Sequence, residues 1–282
     1  MTLQRLLSLT RKAVDTFNLI ESGDKIAVGI SGGKDSLTLL YALNGLKRFY
    51  PNSFTIEAIT VDLGHPGFDL IQIKALCSEL NVPYTIVQTE IAQIIFNERK
   101  EPNPCSLCAK MRKGALNDAA KKAGCNKIAY AHHKDDVIET MLLSLLFEGR
   151  FHTFSPKTHL DRTDLTVIRP LLFVNEADVI GFKNKYHLPV EKSPCPVDGY
   201  TKRQYVKELI RTLNHEHPGV KERMFTAILN GNLDGWETFL KKINRHVKRQ
   251  REKDFPLPNF YFTSRLFFAS RSSLISIAFL II

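Results

Sequence analysis

Apolar residues along this chain alternate between short continuous runs and longer stretches with helical spacing. Lys25–Ile30 (KIAVGI) predicts a strand, Leu37–Phe49 a helix, and Phe54–Val61 a second strand ending at Asp62. Asp69–Leu80 predicts a helix and Tyr84–Val87 a strand; Cys108–Ala123, Lys127–Ala131 and Asp135–Phe147 then read helix, strand, helix. Thr166–Ile168 is a short strand before Arg169-Pro170, and Asn175–Tyr186 is a helix that stops at His187-Leu188-Pro189. Strands alternating with helices predict an α/β fold with a parallel sheet covered on both faces. Such sheets bind ligands at the carboxyl ends of their strands, where Ile30/Ser31, Asp62 and Ala131/His132 fall.

The flanking segments differ from this body. Leu3 to Ile20 carries Arg5, Arg11, Lys12 and Asp15, the pattern of an amphipathic helix and not of a secretion signal. Tyr200–Gly235 reads as polar helix with Lys202, Arg203, Lys207, Arg211, Lys221 and Arg223, and Lys241–Arg251 is strongly basic. From Phe255 onward the chain turns aromatic and aliphatic; its uncharged end, Ser272–Ile282, is too short to span a bilayer. The expected organisation is an N-terminal helix (1–23), an α/β domain (24–195), a basic helical region (196–254) and an apolar tail (255–282). The net charge of +10 favours an anionic partner, nucleic acid or a membrane surface, over a neutral one. With five cysteines and no secretion signal, a reducing cytoplasm is expected, with the cysteines as thiols or ligands.

Candidate chemistry begins at the first strand–helix joint, Ser31-Gly32-Gly33-Lys34-Asp35-Ser36. A strand entering a helix through small residues offers backbone N–H groups and a helix dipole to phosphate. Gly32 and Gly33 let an anion approach closely, Ser31 and Ser36 add hydroxyl donors, and Lys34 adds charge. The spacing is neither GxxxxGK[ST] nor GxGxxG. A plain turn capped by Ser31 or Asp35 is the alternative. SGGKDS resembles the signature of the PP-loop, or ATP pyrophosphatase, family. That resemblance implies a Rossmann-like, adenine nucleotide alpha hydrolase-like fold. It also implies ATP cleaved between its α- and β-phosphates, an AMP-activated substrate, and adenine near Thr60–Leu63, which includes Asp62.

Pro104-Cys105-Ser106-Leu107-Cys108 places a CxxC at a helix start, where the dipole lowers thiolate pKa. Cys195 lies far along the chain in the turn Ser193-Pro194-Cys195-Pro196. Three cysteines suit zinc or an iron–sulfur cluster, and a single CxxC also suits a redox pair. Zinc would need a fourth ligand, for which His187 is the candidate, while Cys77 and Cys125 read as small hydrophobes.

In His132-His133-Lys134-Asp135-Asp136 a carboxylate at the helix start complements the dipole. Near polyphosphate it could also hold Mg²⁺ or move a proton. Asp135 is the expected functional carboxylate and Asp136 a supporting one. His132 and His133 are expected to contact phosphate or pack beneath the loop. Arg169 is expected at the nucleotide, and Arg112 with Lys113 in the same pocket or on a solvated helix face.

Taken in order, SGGKDS, PCSLC, HHKDDVIET, Arg169-Pro170-Leu171 and Cys195 resemble the tRNA 2-thiocytidine synthetase group of the PP-loop family, over roughly Leu3 to Arg211. The resemblance implies a 4Fe–4S cluster held on three irons by Cys105, Cys108 and Cys195, with the fourth iron open to sulfide. It implies ATP and Mg²⁺ as further cofactors and tRNA as partner, with sulfide or a cysteine desulfurase as sulfur donor; separately, the apolar tail offers a surface for a homodimer. Asp135, Lys34 and Arg112 are the expected catalytic set. Ser31–Ser36, Asp62, His132 and Arg169 are the expected nucleotide contacts. Relatives that thiolate uridine usually carry extra zinc-binding cysteine motifs at both ends; their absence here favours cytidine. The alternatives are another PP-loop enzyme, such as a 2-thiouridine or lysidine synthetase, and a zinc-containing RNA-binding module without catalysis.

Overall fold

The buried run Ile26-Ala27-Val28 forms the middle of β1 (Asp24–Gly29), the central strand of a six-stranded sheet. The computed structural model describes residues 1–99, 104–191, 194–195, 202–231 and 233–237. Strands β2 (Phe54–Asp62), β3 (Tyr84–Gln88), β4 (Lys127–Ala129), β5 (Lys157–Leu160) and β6 (Leu165–Ile168) complete the order β3-β2-β1-β4-β6-β5. All neighbours run parallel except β5 and β6. Strand order reverses at β1, which pairs with β2 on one side and β4 on the other. That reversal opens a crevice at the carboxyl ends of β1 and β4.

Helices cover both faces, as parallel pairing requires. On one side lie α1 (Leu3–Phe17), α2 (Lys34–Leu46), α5 (Lys134–Glu148) and α6 (Glu176–Lys185), sharing a core with Leu37, Leu40, Leu43, Val137, Phe182 and Trp236. α3 (Ile71–Glu79) joins this side through Ile73, Leu76 and Cys77. α4 (Pro104–Lys122) covers the other side, where Leu116, Ala119 and Ala120 pack on Ala27, Ile59, Ile128 and Cys125. Cys77 and Cys125 are buried apolar fillers, as their patterns implied, and burial pushes each thiol up to about 11. α7 (Lys202–Glu216) and α8 (Val220–Asn230) bury Val206, Ile210, Phe225 and Ile228 against the body. α1 is the expected amphipathic helix, capped by Thr2 accepting from the Arg5 N–H.

Four features depart from the sequence reading. α4 begins at Pro104, so both cysteines of the CxxC sit in its first turn. β4 stops at Ala129, leaving Tyr130 to His133 as a connector into α5. Lys157-Thr158-His159-Leu160 has no apolar alternation, yet it forms the antiparallel edge strand β5 by pairing with β6. Lys157 Nζ anchors that edge on the Asn18 carbonyl (2.9 Å) and Glu21 (2.9 Å). Gln93–Glu98 forms a π-helical turn. No helix among the described residues is long and apolar enough to cross a membrane. Lys241–Arg251 and the apolar tail 255–282 lie outside the described residues.

Candidate active site

At the β1–β4 crevice lies a cleft of about 400 Å³, floored by Gly29, Ile59 and Tyr130. Ser31, Asp35 and Ser36 enter it from the glycine turn, Ala109, Arg112 and Lys113 from α4, and His132 and Asp136 from the connector and α5. The glycine turn is built by its own hydroxyls. Ser36 Oγ donates to the Gly33 carbonyl (2.9 Å) and accepts from the Ser31 N–H (3.2 Å), while Ser31 Oγ accepts from the Gly33 N–H (3.4 Å). No side chain caps α2 at Gly33, so its first N–H groups face the cleft as an anion site. Gly32 has φ +81°, and an added Cβ would meet Glu191, Phe68 and Ile73 at 3.4 to 3.5 Å. Gly32→Ala is therefore expected to cost about 1–2 kcal/mol in loop geometry and to weaken ATP about tenfold, read by ATP titration. Unchanged affinity would refute the cradle.

Two of the expected residues point elsewhere. Lys34 Nζ is held by Asp35 (3.0 Å) and by Glu176 at the start of α6 (3.3 Å), and does not line the cleft. Burial pulls its pKa down, but the two carboxylates outweigh it and hold it above the ordinary value. Asp135 turns away from the cleft as well: it accepts from the Glu176 N–H (2.8 Å) and pairs with Lys221 of α8. Of the two α5 aspartates, Asp136 is the one that faces the cleft, which Asp35 also lines. Its Oδ2 accepts from the His133 N–H (2.9 Å) while His133 Nδ1 accepts from the Asp136 N–H (3.4 Å), a reciprocal cap on α5. Successive side chains of a helix are rotated by about 100°, so the adjacent aspartates of α5 diverge.

Arg169 also acts at one remove. It lies behind His132, donating Nε–H to His132 Nδ1 (3.1 Å), holding the Ser155 carbonyl and stacking on Phe154 (4.9 Å). Burial lowers its pKa to about 10, which still leaves it charged at neutral pH. With Nδ1 accepting, neutral His132 carries its proton on Nε2. Burial first, then the Arg169 charge, lowers the His132 pKa to about 3. An unfolded histidine titrates near 6.5, so the folded state loses stability as pH falls from about 6.5 toward 3. His132→Gln is expected to flatten that part of the Tm–pH curve; an unaltered slope would contradict it. Asp62 accepts from the Gly64 N–H (3.0 Å) and shapes the turn after β2, beside the cleft residue Val61.

The sequence reading missed three participants. Arg203 of α7 donates to Asp136 Oδ1 (3.5 Å), Glu139 Oε2 (3.0 Å) and Thr140 Oγ1 (3.3 Å), joining the basic helix to the cleft carboxylate. Glu139 is buried there, its carboxyl pushed up by burial and Asp136 against the pull of Arg203. Glu176 bridges Lys34 and Lys207 (2.6 Å). Arg203 was visible only as one cation of a basic helix and Glu139 only as part of HHKDDVIET; Glu176 left no trace in the pattern.

Cys105 and Cys108 share the first turn of α4, and Arg112, one turn on, lines the cleft. Burial raises the Cys108 thiol pKa, Arg112 opposes it, and the Cys195 and Cys105 thiols add to the rise. Glu191, four residues before Cys195, donates its N–H to the Gly32 carbonyl (3.0 Å). Cys195 is thus tethered within about 14 Å of the glycine turn. Among the described residues no three ligands are gathered closely enough to hold a single metal ion. The donor chemistry, two thiols in one helical turn and a third on a segment tied to the glycine turn through Glu191, fits an iron–sulfur cluster.

A family described as a PP-loop domain matches residues 5–213. The chain belongs to the PP-loop family. Its similar relatives include the tRNA-cytidine(32) 2-sulfurtransferase of Geobacter sulfurreducens, 38% identical over 230 residues, covering 80% of this chain and 90% of the relative. The enzyme of that name from Geobacter metallireducens is 40% identical over 222 residues, covering 78% and 86%. This PP-loop protein falls in the tRNA 2-thiocytidine synthetase group, as its motif order implied. Among solved structures it is similar to the U34-tRNA thiolase NcsA of Methanococcus maripaludis with its [4Fe-4S] cluster. The TM-score is 0.66 at 28% identity, over 80% of this chain and 78% of that one. The fold is the Rossmann-like PP-loop fold, with a helical C-terminal part.

Proposed function

We propose that this PP-loop protein is a tRNA sulfurtransferase that uses ATP to convert a cytidine to 2-thiocytidine. The observation that carries the reading is one cleft lined both by the phosphate turn (Ser31, Ser36) and by the helix of the CxxC (Ala109, Arg112). The turn and the α2 amino terminus hold the β- and γ-phosphates of ATP. Cytosine O2 attacks the α-phosphorus, pyrophosphate leaves, and the oxygen becomes part of an AMP leaving group. Arg112 and Lys113 offset charge gathering on the phosphates. Neutral His132, held by Arg169, offers its Nε2–H as a fixed donor. Of the two α5 aspartates, Asp136, which lines the cleft, would hold Mg²⁺.

Cys105, Cys108 and Cys195 would hold the 4Fe–4S cluster, which when bound supplies the sulfide that replaces O2. Sulfide renews it directly, or a cysteine desulfurase does so when a thiol reductant supplies two electrons to bring its persulfide sulfur to sulfide, and the cytoplasm is the compartment that keeps these thiols reduced. Cytidine is favoured over uridine because the relatives named for cytidine stand at 38–40% identity, against 28% for the U34 thiolase. The basic faces of α7 and α8 hold tRNA phosphates, and the target base leaves its stack to enter the cleft. The test is product analysis with ATP labelled at the α-phosphate. AMP and pyrophosphate formed in a tRNA-dependent reaction support the proposal, and ADP with phosphate overturns it.

A further inference from the structure

Where α5 ends, its apolar residues turn outward. Phe147 is 44% exposed and Phe151 77%, and across from them on α7 Tyr205 is 57% exposed. The Phe147 and Tyr205 rings meet edge to face, with centroids 6.3 Å apart and planes at 71°. Lys202 Nζ lies 4.8 Å from the Phe147 centroid. α7 carries four cations (Lys202, Arg203, Lys207, Arg211) against two carboxylates (Glu208, Glu216), though Arg203 already pairs with Glu139 and Lys207 with Glu176. Nearby, Glu148 is matched by Arg150 and Glu208 accepts from Gln204 (2.8 Å). Aromatic rings set among cations are what a single-stranded nucleic acid needs: a π-face for a base and charge for its phosphates. A partner that is merely apolar would leave that charge unused.

The place of this patch matters as much as its chemistry. Arg203, between Lys202 and Tyr205, already reaches the cleft carboxylate Asp136. Phe147 follows Asp136 by 11 residues on α5, about 16 Å along the helix at 1.5 Å per residue. That distance equals about five nucleotides at the stacked spacing of about 3.4 Å. We propose that Tyr205, braced by Phe147 and Lys202, is a stacking platform for an unpaired base of the substrate RNA, about five nucleotides from the base held in the cleft. The proposal rests on the tRNA thiolase reading and adds to it a contact with bases beside the contacts with phosphates.

The test compares two RNAs binding to the full-length protein: a stem-loop with an unpaired loop containing cytidine, and a duplex with the same number of phosphates. Tyr205→Ala is expected to weaken the stem-loop about tenfold and to leave the duplex, the Tm and ATP affinity unchanged. Tyr205→Phe keeps a ring and is expected to bind like the parent. Lys202→Ala is expected to weaken both RNAs and to lower the slope of log K against log salt by about one. Equal stem-loop binding by Tyr205→Ala and the parent overturns the platform, and so does an equal loss on both RNAs. An altered oligomeric state in light scattering overturns it in favour of a protein interface. If the parent binds neither RNA, the thiolase reading falls with the platform; if the parent thiolates and only Tyr205→Ala is silent, the platform falls alone.

Discussion

Asp136→Asn is expected to slow thiolation by at least about 100-fold, within the several kcal/mol that a metal ion contributes to charge stabilisation, whereas Asp135→Asn is expected to act mainly on stability. Asp136 faces the cleft beside Ser31 and Ser36. Asparagine keeps a carbonyl oxygen for the His133 N–H, so α5 stays capped while the charge is lost. Asp135 joins α5 to α6 and α8 through the Glu176 N–H and Lys221. Removing one side of such a half-buried pair leaves Lys221 without its counter-charge, so Tm falls while single-turnover chemistry persists. Single-turnover rates and melting curves of the two variants check this. A larger rate loss for Asp135→Asn would reverse the assignment.

The second large effect concerns the thiols. Alanine at Cys105, Cys108 or Cys195 is expected to abolish thiolation and to remove the broad visible absorption of anaerobically purified protein. ATP affinity should stay, because the phosphate turn is built by Ser31, Gly33 and Ser36 without any cysteine. Cys195 is the most telling of the three: it stands 87 positions beyond Cys108 in the sequence, and the Glu191 bond to Gly32 draws its segment back toward the glycine turn. Full thiolation by Cys195→Ala would show that this thiol has no part in sulfur transfer.

Much of this architecture was legible in the pattern of the chain. β1, α2, β2 and α5 follow directly from apolar runs and helical spacing, and with them came the crevice where SGGKDS and HHKDD meet. What was not legible is which way side chains point and what distant segments supply. Asp135 and Asp136 look equivalent as neighbours, and only the α6 and α8 partners of the first separate them. Lys34 was expected at phosphate because it is a lysine in a phosphate turn; Glu176, a residue 142 positions away, holds it instead. Arg169 reaches the cleft only through His132. β5 exists because β6 offers it an edge and Lys157 an anchor, with no alternation of its own to announce it. Each miss is a long-range contact overriding a local pattern.

The proposed reaction requires an adenylating nucleotide and a sulfur-carrying thiol site to share one cleft. The most direct measurement is nucleoside mass spectrometry of tRNA incubated anaerobically with the cluster-loaded protein, ATP, Mg²⁺ and sulfide. The account predicts 2-thiocytidine, formed only when ATP is present. Unmodified cytidine from protein that carries its cluster and binds ATP would contradict it.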